Sequence, residues 1–240
     1  MGAGDALLLH GDGAGRRRLV CFSFAGGGVA PFRAWGGSVP PGHDVWGISY
    51  PGRDGRYGQR VPGQWSELVT DCAALVAGSV EPPYVLYGHS MGALVAHAVA
   101  ATLPGPAVDG LIVSGHVAPH RHIGPDPRLL DVSDAALERW LGEKGQVAPE
   151  VLANADLRAF AVHLLRADIS VYGTFRHEAG PLLETDVHVL YGEEEPQPRE
   201  DFAAWADVTK GTTIVHELPG GHFFTPEIWS ALPGLVLTGV

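Results

Sequence analysis

The sequence is poor in cysteine, in lysine and in positive charge, and it has no long apolar run. Cys21 and Cys72 are its only cysteines, too few for a disulfide framework or a cysteine-rich metal site. Lys and Arg number 16 against 27 Asp and Glu, a net charge of −11. That balance argues against nucleic acid and anionic membrane as the main partner. No stretch approaches the ~18 consecutive apolar residues of a membrane span. Met1 to His10 lacks the basic region and apolar core of a secretory signal. A soluble protein of the cytoplasm is expected. Lys144 and Lys210, the only lysines, are each followed by glycine, which excludes a phosphate loop ending in Lys-Ser/Thr. A dinucleotide fingerprint through Gly26 and Gly28 would need a third glycine where Pro31 stands. No cofactor and no metal are therefore expected.

What is present is enough for one core. The chain has 240 residues, 45% apolar and 18% charged, which excludes a disordered tail and fits a single domain over residues 1–240. Short apolar runs end in turn residues: Arg18 to Phe24, Val45 to Tyr50, Tyr84 to Tyr87, Leu111 to Ser114, Val187 to Tyr191 and Thr213 to Leu218. These predict strands, and a further strand fits near Ala6 to His10. Helical spacing of Trp65, Leu68, Val69, Cys72, Leu75 and Val76 predicts a helix over Gln64 to Val80. A small-residue helix is predicted over Ala93 to Thr102. Apolar strands alternating with helices predict an α/β fold with a mostly parallel sheet covered on both faces. Residues 120–180 break the alternation. They predict helices at Asp134 to Leu141, Pro149 to Asn154 and Asp156 to Tyr172. Such an insertion belongs over the carboxyl ends of the strands, where open α/β sheets bind ligands.

Gly88-His89-Ser90-Met91-Gly92 is the strongest local signal. It fits G-x-S-x-G between a strand and a helix, a turn that projects the serine hydroxyl. Gly88 and Gly92 would remove side chains where strand and helix approach. Ser90 is the candidate nucleophile, and the Met91 N–H is aimed near its hydroxyl. Twelve histidines are present. His222, in Gly220-Gly221-His222-Phe223-Phe224 after the last strand, suits the base, because this motif is followed in the chain by an acid and then a late histidine. His89 is expected to point away from the Ser90 hydroxyl and to support the loop. For the acid, Gly192-Glu193-Glu194-Glu195-Pro196 follows a strand and offers three carboxylates, one of which could orient His222. Ala25-Gly26-Gly27-Gly28 could supply the Ala25 N–H as a second oxyanion donor beside Met91. His116, His120 and His122, with Asp126 nearby, match no zinc spacing and are expected to form a polar loop.

Five segments in order resemble type II thioesterases, the free-standing editing hydrolases of polyketide and nonribosomal peptide assembly lines. They are Leu19-Val20-Cys21-Phe22 through Ala25-Gly26-Gly27, Tyr50-Pro51-Gly52-Arg53, the Ser90 segment, Leu164-Leu165-Arg166-Ala167-Asp168, and Gly220 to Phe224. The resemblance implies an α/β-hydrolase fold with a helical lid at about 120–180, Ser90 as nucleophile and His222 as base. It implies an acyl substrate held as a thioester on the phosphopantetheine arm of an acyl or peptidyl carrier protein. Two departures stand out. The family places Asp in a Gly-x-x-Asp-Pro pattern, and here Glu195 and Pro196 hold those offsets from Gly192. Ser23-Phe24 stands where the family often has Pro and an aromatic residue or His. Arg53, Arg56 and Arg60 are a candidate basic patch for an acidic carrier. Acyl transfer or cyclisation through the same acyl-serine is the alternative chemistry. A degenerate module that only binds carrier proteins is the alternative of another class.

Overall fold

A computed structural model describes residues 6–124, 131–143 and 147–237. Its centre is a seven-stranded sheet of β1 (Ala6–His10), β2 (Arg17–Phe22), β3 (His43–Ile48), β4 (Tyr84–His89), β5 (Val108–Ser114), β6 (Val187–Gly192) and β7 (Thr213–Leu218). The order is β1-β3-β2-β4-β5-β6-β7. Only the β1–β3 pair is antiparallel. The expected strand at Ala6 to His10 is therefore present, as an edge. β4 is buried at every position, as a central parallel strand covered on both faces must be.

Alternate residues divide the core into two layers. Val20, Phe22 and Leu86 face one layer, with Leu68, Cys72 and Val76 of α1 (Trp65–Ser79) and Val95 and Val99 of α2 (Met91–Thr102). Leu19, Cys21 and Tyr87 face the other, with Phe32, Trp35 and the C-terminal helix.

Between β5 and β6 lie α3 (Asp134–Glu143), α4 (Pro149–Ala153) and α5 (Ala155–Tyr172), close to the expected spans. The Asn154 side chain accepts the Asp156 and Leu157 N–H groups and so starts α5. Leu137, Leu141, Val162, Leu165 and Ile169 form a separate apolar cluster that touches Ala25. This insertion thus lies against the loop at the carboxyl end of β2. The chain continues through α6 (Arg199–Ala203) and ends in α7 (Pro226–Leu237). Among the described residues no helix is long and apolar enough to cross a membrane.

Candidate active site

Ser90 stands between β4 and α2 with φ 55° and ψ −124°, a left-handed conformation that is strained for any residue but glycine. Packing enforces it. A Cβ on Gly88 would lie 2.0 Å from the Gly92 carbonyl oxygen, and one on Gly92 would lie 2.3 Å from that of Phe22. The two glycines therefore let strand, turn and helix meet backbone to backbone, and the Ser90 hydroxyl is left projecting. The N–H of Ser90 donates to the Ser114 carbonyl at 2.7 Å, which ties the turn to β5. Met91 opens α2, so its N–H has no intrahelical acceptor and sits at the positive end of the helix dipole.

The structure brings Ser90, His222 and Glu195 into one hydrogen-bonded line. Nδ1–H of His222 donates to Oε1 of Glu195 at 2.7 Å, and Nε2 accepts from the Ser90 hydroxyl at 3.0 Å. That tautomer leaves Nε2 free to take the serine proton. The Glu195 side chain is only 7% exposed and that of His222 is 23% exposed. Glu193 and Glu194 both face solvent. Among the three candidate carboxylates, Glu195 alone reaches the histidine. Its N–H closes a turn onto the Gly192 carbonyl at 3.0 Å.

His89 is fully buried and donates or accepts at Ser114 Oγ through Nδ1, 2.9 Å away. Its ring centroid lies 5.1 Å from that of His222, and it is further enclosed by Phe24, Phe223 and Trp229. Burial, with His222 and His116 nearby, pushes its pKa well below the ordinary value. It is a neutral prop behind His222. Phe24, at the second departure from the family pattern, sets its ring edge against Phe223 at 4.8 Å. Ser23 is buried, and its carbonyl accepts from the Tyr50 hydroxyl at 2.9 Å. This pair forms a wall beside the histidine.

Phe24 to Gly27 form a β-turn, closed by the Gly27 N–H on the Phe24 carbonyl at 2.9 Å. Gly26 has φ +79°, the type II value that favours glycine at this position. The N–H of Ala25 has no partner among the described residues.

A cavity of about 130 Å³ opens on Ser90, Glu195 and His222, with His116, Val117 and Phe202 in its wall. Larger depressions of about 770 Å³ around His10 to Asp44 and about 520 Å³ beside Trp65 contain none of the three.

The histidine cluster divides. His116 donates Nδ1–H to the Val117 carbonyl at 2.6 Å, and its Nε2 accepts from the Tyr172 hydroxyl at 2.5 Å. Nδ1 of His122 meets the same hydroxyl at 3.0 Å, and His120 turns away to Asp207 at 3.3 Å. Burial pushes His116 down to about 3. Asp126 lies outside the described residues. No group of three or more His, Cys, Asp or Glu side chains among the described residues is arranged to hold a metal ion.

The expected basic patch is not there. Arg53 is buried against Asp168, and Arg56 is buried against Asp71 with contacts of 2.5 and 2.7 Å. Only Arg60 faces solvent, and it pairs with Glu67 at 3.1 Å. Burial alone would lower the Arg53 pKa, but the Asp168 carboxylate more than offsets it and the net shift is upward. The signal for these buried pairs was in the sequence: Arg53 and Asp168 close two of the family-like segments, yet nothing local says that they meet.

Residues 17–236 match the family model described as thioesterase domain. Thioesterase PikA5 of Streptomyces venezuelae is 28% identical over 221 residues, covering 88% of this chain and 76% of that protein. Gramicidin S biosynthesis protein GrsT of Aneurinibacillus migulanus is 29% identical over 225 residues, covering 90% and 86%. Among solved structures, the type II thioesterase BorB from the borrelidin biosynthetic cluster aligns with a TM-score of 0.87 and 26% identity, over 98% of this chain and 96% of that one. The RedJ thioesterase from the prodiginine pathway of Streptomyces coelicolor aligns with a TM-score of 0.81 and 29% identity, over 95% and 86%.

Proposed function

The chain belongs to the thioesterase family, serine hydrolases acting on thioesters, and we propose that it serves a polyketide or nonribosomal peptide assembly line by hydrolysing acyl groups from the phosphopantetheine arm of an acyl or peptidyl carrier protein. The observation that supports this reading is the line Glu195–His222–Ser90, with bonds of 2.7 and 3.0 Å, beneath a strained serine turn.

In this mechanism His222 Nε2 takes the hydroxyl proton of Ser90 as Oγ attacks the thioester carbonyl. Glu195 holds the ring in the right tautomer and stabilises the imidazolium that forms. The carbonyl oxygen becomes an oxyanion, held by the N–H groups of Met91 and Ala25. The C–S bond breaks, and His222 returns the proton to the departing pantetheine sulfur. Water then enters, gives a proton to His222 and attacks the acyl-serine. The free acid leaves as Ser90 recovers its proton. One oxyanion donor is worth about 10²–10³ in kcat. The helices α3, α4 and α5, whose apolar cluster packs against Ala25, act as the lid and shape the acyl chamber.

The test is release of free acid from acyl-loaded carrier protein by wild type, Ser90→Ala and Glu195→Ala. Hydrolysis by wild type, loss in Ser90→Ala and a large drop in Glu195→Ala are expected. A product containing an acyl group joined to a second nucleophile would replace hydrolysis with acyl transfer. An unreactive wild type across short and long acyl groups would leave carrier binding without turnover.

A further inference from the structure

Arg53 and Asp168 take no part in the reaction above, yet both are charged and almost fully buried, 2% and 3% exposed. Removing two ions from water is costly, and good geometry plus further hydrogen bonds must offset it. The geometry is good and the further bonds are present, except at Arg53 Nε, which is buried without a hydrogen-bond partner. Arg53 meets the carboxylate at two points, Nη1 to Oδ2 and Nη2 to Oδ1, each 2.6 Å. Each partner then makes one more bond, and both go to the turn after β2. Oδ2 of Asp168 accepts the Gly26 N–H at 2.7 Å, and Nη1 of Arg53 donates to the Gly27 carbonyl at 2.7 Å.

The place of these bonds in the turn matters. The peptide between Ala25 and Gly26 is the central unit of a type II turn, and types I and II differ by a flip of that unit. With the Gly26 N–H on a carboxylate, the unit is locked. A flip would turn the Ala25 carbonyl toward the Asp168 negative charge. The adjacent N–H, that of Ala25, has no partner among the described residues. On α5, Asp168 is joined by Leu165 one turn away, and a Cβ on Gly26 would lie 3.1 Å from the Leu165 Cβ. One face of α5 therefore both covers the turn and charges it.

We propose that the Arg53–Asp168 pair is a positioning device for the oxyanion site, pinning the turn Phe24–Gly27 so that the Ala25 N–H faces the reacting carbonyl. The pair acts through the turn and touches no substrate. This rests on the reading of Ala25 as an oxyanion donor.

The test compares wild type, Asp168→Asn and Arg53→Lys on an acyl-pantetheine thioester, with a trifluoromethyl ketone thioether as a probe whose adduct with Ser90 carries an oxyanion. Asp168→Asn is expected to lower kcat by about 10²- to 10³-fold, the range for loss of an oxyanion donor, with KM within about twofold. Affinity for the ketone should fall by a similar factor, and affinity for the free acid should not change. Arg53→Lys, which keeps one charged contact, should show the same split with a smaller loss, and it serves where Asp168→Asn does not fold. If kcat per titrated Ser90 and ketone affinity stay at the wild-type level while only the melting temperature falls, the pair is merely structural and the proposal is overturned. Failure of the reaction reading is seen separately, as no turnover by wild type. The clamp is then judged by hydrogen exchange. The Gly26 amide should exchange faster in Asp168→Asn while the β4 amides stay protected, and equal rates overturn it.

Discussion

A side chain on Gly192 would place its first carbon 2.2 Å from the carbonyl oxygen of Gly221. Gly192 ends β6 and begins the turn to Glu195, and Gly221 directly precedes His222. The loops carrying Glu195 and His222 therefore lie backbone on backbone. They are also joined by the Glu194 N–H on the Gly220 carbonyl at 3.1 Å and the Glu193 N–H on the Leu218 carbonyl at 2.9 Å. Gly192→Ala must push them apart. Overpacking of this kind costs about 1–3 kcal/mol. The expected result is a lower midpoint in urea together with at least a tenfold drop in kcat, since the 2.7 Å bond between Glu195 and His222 depends on that contact. A variant that is destabilised but fully active would show that the loops move without disturbing the pair.

The three glutamates should separate cleanly. Glu195→Gln keeps shape but can present its amide to Nδ1 and favour the wrong tautomer, so kcat should fall by about 10³- to 10⁴-fold, as expected when the orienting carboxylate of a serine triad is lost. Glu193→Ala and Glu194→Ala, which remove exposed carboxylates, should stay within about twofold of wild type. Steady-state hydrolysis of one thioester by all three variants checks this. Comparable losses at Glu194 would move the acid assignment.

Local patterns carried the sheet and the site farther than the long-range contacts. The strand Thr213 to Leu218 has the ends that the sequence pattern predicts, because an apolar run bounded by turn residues needs no tertiary information. α2 begins at Met91 rather than Ala93, since the serine turn passes straight into the helix. α7 was not read. Pro226 and Pro233 look like breakers, but Pro226 occupies the first helical position, where a missing N–H costs nothing, and Thr225 Oγ1 accepts the Ile228 N–H at 3.3 Å to cap the helix. The sequence pattern places Arg53 in a candidate basic patch, whereas the structure buries it against Asp168. Its partner is 115 positions away, and no spacing rule reaches that far. The line Glu195–His222–Ser90 was legible because each residue sits beside a strand end in a fixed chain order.

Two buried histidines should make the protein acid-labile. His89 and His116 are held neutral by burial, with His116 down to about 3. In the unfolded chain they titrate near 6.5. Below that value the unfolded state binds protons that the folded state does not, so stability falls as pH falls. The loss begins near pH 6.5 and, for His116, continues to about pH 3. His116 contributes up to ~2 kcal/mol of destabilisation by pH 5, at about 1.4 kcal/mol per unit, and His89 acts in the same direction. Urea midpoints at pH 7 and pH 5 should differ accordingly, and His116→Gln should flatten the difference. Equal midpoints would show that the two histidines protonate without unfolding the site.

Attraction between opposite charges should matter little where the sequence pattern placed it. An acidic carrier protein approaching a chain of net charge −11 needs a local basic surface to be steered. The segment Arg53 to Arg60 does not offer one, since Arg53 and Arg56 are spent on Asp168 and Asp71 and Arg60 is paired with Glu67. An exposed pair of this kind is worth about 0–1 kcal/mol and is weakened by salt. Arg60→Ala should therefore change kcat/KM for an acyl-carrier substrate by less than about twofold. The ratio of kcat/KM between carrier-bound and free pantetheine thioester should be the same in both proteins. A several-fold fall confined to the carrier substrate, and abolished by high salt, would make Arg60 a docking contact. Arg56→Met should behave differently from both. It strands the half-buried Asp71 on α1, so its effect should appear first as a lower melting temperature with kcat/KM retained per folded molecule.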